Sequence, residues 1–203
     1  TNRIHCMAVT EESSITEIMS KDELGKPSSW SAALDNITTG YDDGTKKFFA
    51  VSAGNVNLDE LRIYGYPNAN YAHCVESPAQ AWNVLTVGAS CSKVQITHPE
   101  LKDFKPVAKN GELCPFSTTS NNEKWTSTWP VKPEVLFEGG NAVTDGRIFD
   151  SCDDVSLLTT RSDFHINPLK TINATSAATA QAAHAAAKIN SFYPGLWPET
   201  IRA

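Results

Sequence analysis

The stretch FFAVSAGN, residues 48–55, decides the fold class of this chain. It is apolar without alternation, which is typical of strands that helices cover on both faces of a parallel sheet. Residues 27–37 precede it with apolar side chains at helical spacing, and RIHCMAV, residues 3–9, predicts a further buried strand. Strand, helix and strand in succession form a βαβ unit, so we expect an α/β fold with three layers and a mainly parallel sheet with flanking helices.

Downstream segments extend this pattern. A long Ala-rich helix is predicted over residues 175–192, and a last helix begins at Trp197 with proline in its first turn. Residues 91–130 show little periodicity and predict long loops with room for one hairpin. Strands are predicted at VLTVGAS (residues 84–90), VLFEGG (135–140) and SLLTT (156–160).

Composition excludes several classes of protein. The 203 residues are 40% apolar and 20% charged, as in globular domains, and their net charge of −6 argues against nucleic-acid partners and anionic membranes. No apolar run is long enough to span a membrane, and no signal peptide opens the sequence. Five scattered cysteines without a CxxC pair favour reduced thiols and a cytoplasmic location. We expect no cofactor and no metal, because the acidic pairs at residues 42–43 and 153–154 are typical of surface turns.

Ser176 stands just inside the start of the Ala-rich helix. Free N–H groups and the positive end of the helix dipole at such a position suit a developing oxyanion. The small residues around it would let a substrate backbone approach closely. From this segment alone, an ordinary serine or threonine cap before an Ala-rich helix is the favoured interpretation.

The order of several short segments favours the catalytic interpretation. Taken together, they resemble the subtilisin-like serine peptidases, or subtilases, over nearly the whole chain. Six segments of the family are matched in the family's order: the strand end before the oxyanion asparagine, the YP turn, the VGA strand, the FS segment, the KPD strand and the segment of the nucleophile. They are SAGN (52–55), GYP (65–67), TVGAS (86–90), FSTTS (116–120), KPEVLFEGG (132–140) and ATSAATA (174–180).

The resemblance implies a role for each matched residue. Ser176 would be the nucleophile that forms an acyl-enzyme, and the side-chain amide of Asn55 would stabilise the oxyanion together with the Ser176 backbone N–H. The walls of the S1 pocket would be Ala8, Val9 and Thr10 on one side and Ser52, Ala53 and Gly54 on the other, with Gly65 as the floor.

The chain departs from the family's pattern around the nucleophile. Ala174 stands where the family has glycine, Ala180 where it has proline, and FEGG at residues 137–140 where it has APG. A methyl group at residue 174 restricts a backbone that glycine leaves free, so the geometry of this loop is open at this stage.

The family's catalytic aspartate and histidine motifs have no match in this sequence. We therefore expect residues 1–203 to be the C-terminal portion of a peptidase domain, truncated on its N-terminal side and inactive alone. The expected partners are a protein or peptide substrate, the missing N-terminal half, and further copies of the chain through an exposed strand edge. His165 is the one local histidine with any prospect of serving Ser176, and a solvated loop histidine is the simpler interpretation. The alternative function is a non-catalytic pseudo-peptidase or interaction module of the same fold.

Overall fold

Four parallel strands form the main sheet of the computed structural model, which describes residues 3–11, 26–120 and 129–203. Their order is β1 (Ile4–Met7), β2 (Phe48–Ser52), β3 (Leu85–Ser90) and β5 (Val135–Glu138). In register, Ala50 lies beside Leu85 and Val87 beside Val135. The predicted strands at residues 84–90 and 135–140 thus take neighbouring places in one parallel sheet.

Helices cover both faces of this sheet. On one face α1 (Ser29–Thr39) packs Leu34 against a cluster that includes Val51, and on the other α4 (Thr175–Phe192) packs Ala178 against a cluster that includes Ala50. Neighbouring residues of β2 therefore serve opposite faces, which explains why this strand is apolar throughout. The three-layer α/β architecture with a parallel sheet is confirmed.

Local chemistry sets the ends of α1. The Ser28 hydroxyl accepts a hydrogen bond from the Ser31 N–H at 3.1 Å, which satisfies one donor of the first turn. Gly40 ends the helix with φ 72°, a left-handed conformation that glycine adopts without steric cost. The helix predicted from residue 27 onward is confirmed between these two caps.

Strand β1 is less buried than its apolar sequence predicts. Cys6 is exposed, and Ile4, His5 and Met7 are only partly covered. The reason is its place in the sheet: β1 pairs with β2 on one side, and no other strand of the described residues pairs with its outer side. The expectation of a buried strand is therefore wrong for the described residues, and β1 presents an open edge.

Smaller elements surround the main sheet. The strand predicted at residues 156–160 exists but lies outside the main sheet, in an antiparallel hairpin of β8 (Leu157–Thr160) and β9 (Leu169–Ile172). Of the predicted loop region, residues 121–128 lie outside the described residues. None of the described helices combines the length and the apolar character that a membrane crossing requires. The remaining elements are α2 (Leu58–Tyr64), α3 (Asn68–Ala72), α5 (Pro198–Arg202) and a three-stranded antiparallel sheet of β4 (Lys105–Pro106), β6 (Ala142–Thr144) and β7 (Phe149–Ser151).

Candidate active site

Ser176 lies in the first turn of α4, directly after Thr175, the first residue of the helix. Its side chain is partly exposed, and its hydroxyl lies 3.5 Å from the carbonyl oxygen of Ala8, just beyond the end of β1. The N–H groups of a first helical turn have no partner within the helix. The Ser176 hydroxyl therefore stands beside backbone donors and the positive end of the helix dipole.

Asn55 meets the same helix start from the end of β2. Its Oδ1 lies 3.1 Å from the backbone N–H of Thr175 and 2.7 Å from the Thr175 hydroxyl. Since a backbone N–H only donates, the amide oxygen must face Thr175, and this contact assigns the orientation of the amide. The NH₂ group of Asn55 is consequently turned away from Thr175.

These contacts bring the two predicted catalytic residues to one edge of the sheet. The helix start and the strand end meet there, as the carboxyl ends of parallel strands and the adjoining loops do in open α/β sheets. Two kinds of donor are present at this helix start, the side-chain NH₂ of Asn55 and the N–H groups of the first helical turn. Such an arrangement can stabilise a negatively charged oxygen in a tetrahedral intermediate.

The residue before the helix adopts a backbone conformation that side chains rarely tolerate. Ala174 has φ 74° and ψ −172°, and among the non-glycine residues described it alone has a positive φ. Its N–H donates to the carbonyl of Gly139 at 2.7 Å. Gly139 in turn has no room for a side chain, because a β-carbon on it would lie 2.3 Å from the β-carbon of Ala89. Alanine at this family glycine position therefore keeps a glycine-type geometry, which costs on the order of 1–3 kcal/mol.

The two predicted walls of the S1 pocket lie on either side of one carboxylate. On the first wall Ala8 and Val9 are exposed and Thr10 is partly buried; on the second Ser52, Ala53 and Gly54 are buried. The Thr10 hydroxyl donates to Oε2 of Glu76 at 2.6 Å. A β-carbon on Gly54 would lie 2.5 Å from Cδ of the same side chain.

Gly65 is the predicted floor of the S1 pocket. It ends α2, and its N–H donates to the Leu61 carbonyl at 2.9 Å. The neighbouring Tyr66 packs on the cluster beneath α4 and donates its hydroxyl to the Leu113 carbonyl. The side chain that reaches both Thr10 and Gly54 is that of Glu76, which the sequence motifs did not indicate. The assignment of the pocket floor to Gly65 stays a prediction, and Glu76 adds a side chain between the two predicted walls.

The described histidines make their contacts elsewhere than at Ser176. His5 stacks on Phe49 with ring centroids 4.5 Å apart, and burial, with Arg3 and Lys47 nearby, lowers its pKa. His165 contacts the Phe164 ring at 3.9 Å in the turn of the β8–β9 hairpin. Within residues 3–11, 26–120 and 129–203, no histidine is hydrogen-bonded to the Ser176 hydroxyl.

The acidic pairs are engaged in turns. The pKa of Asp43 is lowered by the hydrogen bond from Lys47 and by that from the Thr45 N–H. The pKa of Asp154 is lowered by the hydrogen bonds from the backbone and the side chain of Thr97. Among the residues that the structure describes, no three histidine, cysteine or acidic side chains are grouped so as to hold a metal ion.

The five cysteines are free thiols, and four of them are buried. The hydrogen bond between Cys91 and Cys114, together with burial, raises the pKa of the Cys91 thiol far above its ordinary value. The four buried thiols therefore serve packing in the described structure.

Several known proteins are similar to this chain. The sequence model of the subtilase family matches residues 1–203 of this chain. Curated protein sequences give no match. A cold-adapted subtilisin-like serine proteinase is similar at 22% identity and TM-score 0.45, over 89% of this chain and 44% of the other. MycP1 from Mycobacterium smegmatis is similar at 18% identity and TM-score 0.35, over 77% of this chain and 34% of the other. The chain thus spans less than half the length of either solved structure.

Proposed function

The chain belongs to the subtilase family, and from that premise we propose that it carries the nucleophile and the oxyanion-binding half of a serine endopeptidase site. The observation that carries the proposal is the hydrogen bond between the Thr175 N–H and Oδ1 of Asn55 at 3.1 Å. It supports the proposal because Asn55, whose amide also carries an NH₂ donor, is bonded to the residue directly before Ser176, and a site for acyl transfer needs a donor and a nucleophile.

The proposed mechanism uses three groups of this chain. The Ser176 oxygen attacks the scissile carbonyl carbon and forms a tetrahedral intermediate, while its proton passes to a histidine base. The NH₂ of Asn55 and the Ser176 N–H donate hydrogen bonds to the oxyanion. The C–N bond then breaks, the histidine protonates the leaving amine, and water hydrolyses the acyl-enzyme by the same steps.

The activating histidine and its aspartate come, in this proposal, from polypeptide outside these 203 residues. This is supported by the contacts of the described histidines, none of which bonds to the Ser176 hydroxyl. A serine hydroxyl without a base is weakly nucleophilic, so the isolated 203-residue chain should hydrolyse peptides poorly. Its partners would be a protein or peptide substrate and the segment that supplies the base.

A non-catalytic module of the same fold is the second candidate. The contact of the Ser176 hydroxyl with a backbone carbonyl, rather than with a base, favours it within the described residues. In that case the cleft would bind peptides without cleaving them.

A fluorophosphonate probe separates the two candidates. The probe should phosphonylate Ser176 of the natural full-length protein with loss of fluoride, as mapped by mass spectrometry, and Ser176→Ala should abolish the labelling. Ser191→Ala makes the same change at the exposed far end of the same helix and should label normally. Absence of labelling at Ser176, or equal labelling of Ser176→Ala, would contradict the peptidase proposal and favour the binding module.

A further inference from the structure

Glu76 holds its carboxylate between the two segments expected to form the S1 pocket. On one side the Thr10 hydroxyl donates to Oε2 at 2.6 Å. On the other, the side chain lies so close to Gly54 that a β-carbon there would be 2.5 Å from both Cδ and Oε2. Gly54 also has φ 110°, so both the backbone and the neighbouring carboxylate require glycine at this position.

Backbone hydrogen bonds fix the position of this carboxylate. The Glu76 N–H donates to the Ala53 carbonyl at 2.8 Å, which ties the residue to the end of β2. The Glu11 N–H donates to the Ser77 carbonyl at 2.8 Å, which ties the next residue to the opposite wall. The negative charge is thus held by the scaffold and not by a freely moving loop, as precise recognition requires.

We propose that Glu76 is the specificity-determining residue of the S1 pocket and selects a lysine or arginine on the amino side of the scissile bond. The inference rests on the proposed peptidase function. An apolar substrate side chain would displace water from the carboxylate without replacing the lost hydrogen bonds. A cationic side chain restores them, and the planar guanidinium of arginine can donate two parallel bonds to one carboxylate.

Charge and hydrogen-bonding capacity agree with a cationic side chain. A carboxylate offers about four acceptor positions, so the bond from the Thr10 hydroxyl does not by itself exclude a bond from a cationic group. Glu11 is exposed on the same segment as Thr10, and the whole chain carries a net charge of −6. Negative charge around a cleft raises the local concentration of cationic peptides.

The test uses the natural full-length protein and peptides that differ only in the residue before the scissile bond: arginine, lysine, leucine or glutamate. We expect the highest kcat/KM after arginine and lysine. Glu76→Gln keeps the shape and the acceptor for Thr10, and should lower kcat/KM for these two peptides about 10- to 100-fold, the loss of one charge-assisted interaction. Cleavage after leucine should change little. Glu100→Gln makes the same change at an exposed turn residue and should preserve the preference.

Three results decide between the hypotheses. If Ser176 is labelled by the fluorophosphonate probe but cleavage after leucine equals cleavage after arginine, or Glu76→Gln keeps the preference, Glu76 does not determine specificity. If Ser176 is not labelled in the unsubstituted protein, the proposed function itself fails, and this inference with it. Should Glu76→Gln fold poorly, inhibition of the unsubstituted protein decides: benzamidine should compete more strongly than neutral benzamide, and equal inhibition would overturn the inference.

Discussion

Ala174→Gly should make the protein more stable, although glycine usually destabilises. Ala174 has φ 74° and ψ −172°, in a region where a side chain costs on the order of 1–3 kcal/mol. Replacing it by glycine removes that strain but gives the unfolded chain more freedom, which costs about 0.4–1 kcal/mol. The difference predicts a net gain of about 1 kcal/mol, or roughly 2–4 °C in Tm for a chain of this size.

The matched control lies in the same region of backbone space. Gly65 has φ 71° and ψ 164°, and a β-carbon on it would meet no atom within 4 Å. Gly65→Ala therefore adds strain without a steric clash, and we expect it to lower the free energy of unfolding by about 1 kcal/mol. The two substitutions exchange the same two residue types and should have opposite signs.

The assay is urea unfolding of the natural protein and of both variants, followed by circular dichroism. An unchanged m-value would show that the substitutions alter stability and not the extent of unfolding. A loss of about 0.4–1 kcal/mol for Ala174→Gly would mean that residue 174 is unstrained and that the loop before Ser176 has another geometry. A stabilising effect of Gly65→Ala would refute the strain argument altogether.

Three further predictions concern the site and the sheet edge. Asn55→Ala should lower kcat about 10²- to 10³-fold with KM nearly unchanged, a magnitude that comes from the corresponding asparagine of subtilisin itself; a rise in KM at constant kcat would mean that Asn55 only binds substrate. In the folded chain the pKa of His5 lies below its ordinary 6.5. Just below that pH the unfolded chain therefore binds more protons than the folded chain, and the free energy of unfolding decreases as the pH falls through 6.5. His5→Phe should flatten this part of the pH–stability curve, measured by urea unfolding from about pH 5 to 8, and an unchanged slope would contradict the assignment to His5. Because the outer edge of β1 is unpaired among the described residues, the isolated 203-residue chain should self-associate in light scattering, and a stable monomer would show that the edge is covered.

The main layers were predictable because their sequence patterns are strong. FFAVSAGN at residues 48–55 is apolar throughout since both of its faces are covered, and the alanines of α4 allow that helix to lie close on the sheet. Short elements carried no such signal. Helix α3, for example, is held in place by Asn70, whose side-chain NH₂ donates to the Ser117 carbonyl at 2.8 Å and to others nearby. Contacts between residues this distant in sequence cannot be inferred from local periodicity.

The candidate site was likewise only partly predictable from the sequence. Ser176 and Asn55 were placed by the order of family segments, and the structure brings them to one helix start. The floor of the pocket was assigned to Gly65 from the YP turn at Tyr66-Pro67, the first of two X-Pro steps after β2, and this assignment stays a prediction. The second step, Ser77-Pro78, stands closer to β3 and directly follows Glu76. Its nearness to the VLTVGAS strand was the signal that could have identified Glu76.

The bond between Thr175 and Asn55 also has a consequence for the time at which the site appears during folding. The two residues are 120 positions apart in the chain, so the oxyanion donor and the nucleophile share no local neighbourhood. Contacts with such large sequence separation form only after a long loop has closed, at a cost in chain entropy. A nascent or partly folded chain therefore holds a serine and an asparagine but no active site. Any peptidase activity of this site would be postponed until the sheet and α4 have docked.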